Sequence, residues 1–289
     1  SWIEPGKYIG IWWEMIGTNQ STWGSGPHHG AKTEKVMKYI DFGSEHGFDG
    51  VLVEGWNKGW DQNWCCNGEG EDFGFYHPHP DFDHKLVRNY AKEKNIRIVG
   101  HHETGTQIEN YESQLDSAFA YCKRNGIRVV KTGYVNDGSK NIKRTGSDGK
   151  IYKEWHHGQY MVEHFRKVLE TAAKYEVSIV VHEPIKDTGL RRTYPNMVSR
   201  EGARGQEFNG FMGINDNNKY VTTIDGVDYT YNVEAGDDLD DIGNGVRTSI
   251  AGAISATYVA ATNLLTVDGS LPGKRFSIIV NELSLIHIS

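Results

Sequence analysis

From Tyr8 to about Phe211, short apolar runs alternate with amphipathic stretches, and this alternation predicts repeated strand-then-helix units. The candidate strands are Tyr8 to Trp13, Gly50 to Glu54, Arg97 to Gly100, Arg128 to Thr132 and Ser178 to His182. Each is brief and apolar throughout, as strands covered on both faces must be. The stretches between them, Thr33 to His46, Lys85 to Lys94, Tyr111 to Asn125 and Gln159 to Tyr175, read as outer helices. In the last of these, Met161, Phe165, Val168, Leu169 and Ala172 recur at helical spacing with charges opposite. Asn125-Gly126 has the form of a glycine C-cap. Five such units predict a parallel sheet joined by right-handed crossovers. Two long inserts, Trp56 to His79 and Asn136 to Trp155, follow strand ends, and the second carries a hairpin signal at Thr145 to Gly149. If the sheet closes into a (β/α)8 barrel, these inserts lie on its active face.

After about Phe211 the pattern changes. Every Trp and every Cys precedes this point, and the only later His is His287. Tyr220 to Val233 alternates Thr, Val and Tyr around Asp-Gly and predicts a hairpin; Asp237 to Ser255 predicts a helix, and Ala256 to Val280 a second hairpin around Asp268-Gly269.

The 289 residues suffice for one large barrel or two ordinary domains. A net charge of -7 argues against nucleic acid as a partner, since such proteins normally present a basic face. No run of about 18 apolar residues suggests a membrane span. The three cysteines, Cys65, Cys66 and Cys122, form neither a disulfide framework nor a metal-knuckle spacing. Nothing in the pattern specifies an oligomeric state.

Candidate chemistry gathers at two strand ends. The run Ile96 to Thr104 ends in His101-His102-Glu103, and Val180 to Glu207 places Glu183, Glu201 and Glu207 beside His182. Paired carboxylates are what glycoside hydrolysis requires, one to protonate the leaving oxygen and one to activate water or attack directly. Converging carboxylates repel unless a proton or cation shares the site, and calcium, with its taste for hard oxygen ligands, suits them better than zinc. The histidines either donate to sugar hydroxyls or pack with satisfied rings. Lys131 either donates to substrate and lowers a neighbouring carboxyl pKa, or is a lysine with a buried stem. Trp12, Trp13, Glu14, Glu54 and Trp56 end the first two strands, where the rings suit either a sugar platform or a core. Cys65-Cys66 with His77 and His79 has poor spacing for a metal.

The segments IGIWWEM, GVLVEGWNKGW, GHHETGT, VVKTGYV and VVHEP, followed by TGLRRTYPNMVSREGARGQEFN, resemble glycoside hydrolase family 97 over residues 1 to about 211. The likeness is to its calcium-dependent, inverting α-glucosidase branch. The resemblance implies Glu207 as general acid, Glu103 and Glu183 as the carboxylates that hold and deprotonate water, and Glu183, Glu201 and Glu207 as Ca2+ ligands. It places His101, His182, Lys131 and Trp13 against an α-glucoside oligosaccharide, in a setting of periplasmic starch degradation. Retaining members, often α-galactosidases, carry a nucleophilic aspartate where Gly133 stands here, so the resemblance favours inversion. A non-catalytic carbohydrate-binding barrel and an α-galactosidase of the same family are the alternatives.

The expected fold class is therefore α/β: an incomplete (β/α)8 TIM-type barrel in residues 1–211, then a small β-rich segment, 212–289, unrelated to the family. That segment resembles β-modules of phage tail proteins, and the final LSLIHIS resembles a translated adaptor. The expectation is a truncated or chimeric frame, of low stability and little glucosidase activity.

Overall fold

The computed structural model describes residues 2–16, 21–60, 73–135 and 142–203, and then 219–224, 227–234, 237, 239–251, 255–259, 264–268, 278–281 and 286–288. The chain divides into two compact units, Ser1–Ala203 and Arg204–Ser289.

The first unit runs β1 (Tyr8–Gly10), α1 (Trp12–Ile16), α2 (Thr33–Glu45), β2 (Gly50–Leu52), α3 (His84–Glu93), β3 (Arg97–Glu103), α4 (Ile108–Arg124) and β4 (Val129–Gly133). It continues with β5 (Lys143–Thr145), β6 (Ile151–Lys153), α5 (Gln159–Lys174), β7 (Ser178–His182), α6 (Leu190–Thr193) and β8 (Met197–Glu201). The sheet order is β1-β2-β3-β4-β7-β8, and every neighbouring pair is parallel. The six described strands thus follow chain order and form a half-barrel, with the β5–β6 hairpin inserted after β4.

One face of the sheet packs on the helices. Val51, Val53, Ile98, Val130, Ile179 and Val181 join Val36, Ile40, Leu115, Phe119, Phe165 and Leu169 in a single buried cluster. Each such side chain contributes roughly 1.5–3 kcal/mol on burial, far more than an exposed ion pair. Helix ends follow local rules: the Asp83 side chain accepts from the Leu86 N–H at the start of α3. Gly126, at φ 72, ends α4 in the left-handed conformation that glycine adopts without strain.

Two expectations for this unit need correction. Tyr8 to Trp13 is not one strand, because the chain leaves the sheet at Gly10 and turns into α1. The cause is tertiary: the Glu14 carboxylate accepts from Ser21 Oγ at 2.7 Å and Tyr39 Oη at 2.9 Å and pairs with Lys35, which favours a helical turn over extended backbone. Among the described residues the sheet also has six strands, where five were expected. Strand β8 escapes an apolar-run search because Met197 is its one buried residue and Val198 is exposed. Its place is held by Asn196, whose Nδ2 donates to Leu169 O at 3.0 Å and whose carbonyl accepts from Ile179 N.

The second unit contains an antiparallel hairpin, β9 (Lys219–Ile224) with β10 (Val227–Asn232), then α7 (Leu239–Ile250), which buries Ile242, Val246 and Ile250. Further strands are β11 (Ser255–Val259), β12 (Leu264–Asp268), β13 (Ile278–Asn281) and β14 (Ile286–Ile288). Among the described residues the expected hairpin around Asp268-Gly269 is not formed: β12 pairs with β11 before it, while β13 pairs with β9. Among the described residues, no helix is long and apolar enough to cross a membrane.

Candidate active site

Strand alternation sorts the His-His-Glu run of β3. His102 faces the helices, where its Nδ1 meets Tyr111 Oη at 2.9 Å and its Nε2 approaches Cys122 Sγ, and burial pushes its pKa down to about 3. It is a packing residue. His101 and Glu103 point to the opposite, concave face, in register with Lys131 and Gly133 of β4. On β7, His182 is in register with Glu201 of β8, after a bulge between Ile179 and Val180.

Glu103 is buried, and its Oε1 accepts from the Gly105 N–H at 2.8 Å and the Val135 N–H at 3.0 Å. Glu183 follows β7 at φ 42, a left-handed conformation that costs a non-glycine residue roughly 1–3 kcal/mol. Its Oε2 accepts from the Tyr134 N–H at 2.7 Å. The two carboxylates therefore hang on consecutive amides at the end of β4. Burial raises the pKa of both, and for Glu183 the nearby charge of Glu103 adds to the effect.

Lys131 Nζ donates to Glu54 Oε1 at 2.5 Å, and the Trp12 ring centroid lies 5.1 Å from the same nitrogen. Burial pulls this ammonium down, but the charges of Glu54, Glu183 and Glu103 outweigh it and hold the pKa above the usual lysine value. Burial, with Lys131 nearby, keeps His101 and His182 neutral, the latter at a pKa of about 3. His101 is buried, and neither ring nitrogen has a hydrogen-bond partner among the described residues. Buried polar atoms normally have a partner, so this ring stands out on the concave face.

His182, Glu183 and Glu201 offer ligand atoms that all lie within 4.8 Å of one another. His182 Nδ1 is 3.4 Å from Glu201 Oε2. The two carboxylates suit a hard cation such as calcium, and the imidazole is the poorer ligand of the three for it.

The structure thus brings Glu103, Glu183, Glu201, His101, His182 and Lys131 to the carboxyl ends of β3, β4, β7 and β8. Trp13 stands on α1, half exposed, and it is Trp12 whose ring covers Lys131. Glu207, Cys65 and Cys66 lie outside the described residues. Sequence reasoning did not single out Tyr134 and His156, whose roles arise from long-range contacts, and it named Glu54 without finding its pairing with Lys131. A cavity of about 380 Å³ lies at the opposite, amino end of the strands, lined by Tyr8, Gly50, Arg97 and Val129 among others, and holds none of these site carboxylates.

A parallel half-barrel with buried carboxylates and neutral imidazoles gathered at the carboxyl ends of its strands has the arrangement of a barrel enzyme that cleaves glycosides. Residues 12–203 match the family described as Glycoside hydrolase 97, and the chain belongs to that family. It is 52% identical, at a TM-score of 0.69, to a Glycoside Hydrolase Family 97 enzyme from Pseudoalteromonas sp. strain K8 solved in complex with acarbose, over 73% of this chain and 31% of that one. The E480Q form of that enzyme, solved with panose, matches at 51% identity over the same shares and with the same TM-score. A retaining alpha-galactosidase from Bacteroides thetaiotaomicron is 27% identical over 72% of this chain and 26% of its own length. The chain thus spans less than a third of each relative.

Proposed function

We propose that this chain carries the base side of an inverting, calcium-assisted α-glucosidase. The observation that supports it most directly is the pair Glu103 and Glu183, held on the adjacent Val135 and Tyr134 amides with Gly133 beside them. A carboxylate pair on one wall can orient a water and take its proton, while Glu207, on the segment after β8, protonates the leaving oxygen. In inverting enzymes the acid and base stand roughly 6.5–9.5 Å apart, which leaves room for that water. A raised carboxyl pKa moves the base toward neutrality, where proton transfer is most effective. Lys131 and the His101 nitrogens, which have no partner among the described residues, supply donors and an acceptor for sugar hydroxyls.

The donor set fits calcium: Glu183 and Glu201 would hold it, with Glu207 as the third carboxylate. When bound, the ion would polarise oxygen ligands and relieve the repulsion among the acids. Panose is an α-linked glucose trisaccharide, and its binding by a relative 51% identical supports an α-glucoside oligosaccharide as substrate. A periplasmic, starch-degrading setting belongs to the same reading.

The name of the Bacteroides relative favours a second reading, a retaining α-galactosidase. Against it, Gly133 has no side chain to act as nucleophile, and a β-carbon there would run into the Glu103 carboxylate. Few turnovers are expected from the chain as it stands, because β1 and β8 present open sheet edges among the described residues. Concentrated protein incubated with panose and followed by proton NMR tests the reading. β-Glucose should form first, and α-glucose as the initial product would exclude inversion. Glu207→Gln should abolish turnover and leave binding intact; turnover by that variant at the parent rate would remove Glu207 as the acid.

A further inference from the structure

Glu183 is gripped at two points by residues with no assigned part in the chemistry. The Tyr134 N–H binds its carboxylate, and His156 Nε2 lies 2.6 Å from its backbone carbonyl. A carbonyl oxygen only accepts, so His156 carries its proton on Nε2 and donates. His156 is itself buried and edges onto the Tyr134 ring, with centroids 6.0 Å apart. Tyr134 is anchored in turn. Its hydroxyl lies 3.0 Å from His164 Nε2, and His164 Nδ1 lies 2.8 Å from Glu112 Oε1. Because the carboxylate must accept, His164 holds its proton on Nδ1, and burial keeps the ring neutral. Its Nε2 is then free to accept the tyrosine proton. Lys167 closes the chain at Glu112 Oε2, 2.6 Å away. Tyr134 is fully buried and packs on Phe165.

A residue at positive φ persists only where its surroundings over-determine it. Glu183 has that support, with one donor on its side chain, one on its backbone, and a Glu112–His164–Tyr134 line behind the first. We infer that Tyr134 and His156 are positioning residues for Glu183, holding its strained backbone and aiming its carboxylate into the site from two sides. Neither touches substrate; both act through Glu183. The inference rests on the proposed reading of Glu183 as base and calcium ligand.

The test uses the full 289-residue chain, calcium chloride as probe, and two measurements that need no turnover. Calcium affinity comes from calorimetry, and the Glu183 position from crystal structures of Tyr134→Phe, which keeps the ring and its packing, and of His156→Ala. In both variants the Glu183 carboxylate should leave the Tyr134 amide, with calcium affinity falling about tenfold or more, as loss of an outer support typically does. His156→Gln, which restores an N–H donor, should recover most of that loss, a rescue that a merely structural residue would not show. If Glu183 stays on the Tyr134 amide in both variants with calcium affinity unchanged, the inference is wrong. Should His156→Ala not fold, Tyr134→Phe and His156→Gln still decide it. Glu183→Gln distinguishes the two levels. If that variant binds calcium as the parent does, the ligand reading of Glu183 fails, while the crystallographic result still judges the positioning.

Discussion

Gly133 and Glu103 compete for the same space: a β-carbon at Gly133 would overlap Glu103 Oε2 and come within 3.5 Å of His101 Nε2. The Glu103 carboxylate cannot easily yield, because the Gly105 and Val135 amides hold its other oxygen. Gly133→Ala is therefore expected to push Glu103 off its amides and lower kcat about 100-fold, the usual cost of misplacing a reacting group by an ångström. Initial rates of parent and variant with panose, followed by proton NMR on concentrated protein, check this. Parent-like kcat in the variant would show that the Glu103 position does not matter.

The Lys131–Glu54 pair makes a prediction about stability. Glu54 is fully buried and Lys131 nearly so, and removing one partner strands a charge. Glu54→Ala should cost about 3–5 kcal/mol, whereas the double change Glu54→Leu with Lys131→Met should cost clearly less. Urea denaturation of the three proteins measures the difference. A double variant weaker than the single one would contradict it.

Acid sensitivity should trace in part to Glu112. Burial raises its pKa, but hydrogen bonds from His164 and Lys167 outweigh that and leave it below the usual glutamate value. A depressed folded pKa stabilises the protein above the unfolded pKa, and that stability is lost as pH falls through the folded value. Glu112→Gln should thus be less stable than the parent by on the order of 1 kcal/mol at pH 7, with the gap closing below about pH 4. Unfolding curves between pH 3 and pH 7 would reveal it, and a gap that widens in acid would reverse the assignment.

Cys122 is buried, and burial pushes its thiol pKa up to about 12. Reactivity belongs to the thiolate, so the native protein should resist alkylation at this position. Peptide mapping after iodoacetamide treatment should find Cys122 unmodified until denaturant is added. Rapid native labelling there would mean that α4 opens readily.

Some of this was legible in the chain itself. The apolar run Ser178 to His182 and the helical spacing of Met161 to Ala172 emerge as β7 and α5 because each is decided by its own burial pattern. The IGIWWEM segment misleads, since its aromatic and branched residues favour a strand, while Glu14 is drawn into a helical turn by Ser21, Lys35 and Tyr39. The carboxylates at strand ends could be read from the motif. Their supports could not: Tyr134 reaches Glu183 across 49 residues and Lys131 reaches Glu54 across 77, and no local pattern encodes such pairings.

The suspension of Glu183 and Glu103 from the Tyr134 and Val135 amides makes the backbone that leaves β4 a ruler. Its divisions are one residue wide, about 3.3 Å. Side-chain exchange elsewhere cannot stretch that interval by degrees. Insertion or deletion of a single residue at this strand end would move both acids to the wrong mark together, so chain length after Gly133 should tolerate less change than the identity of the residues that fill it.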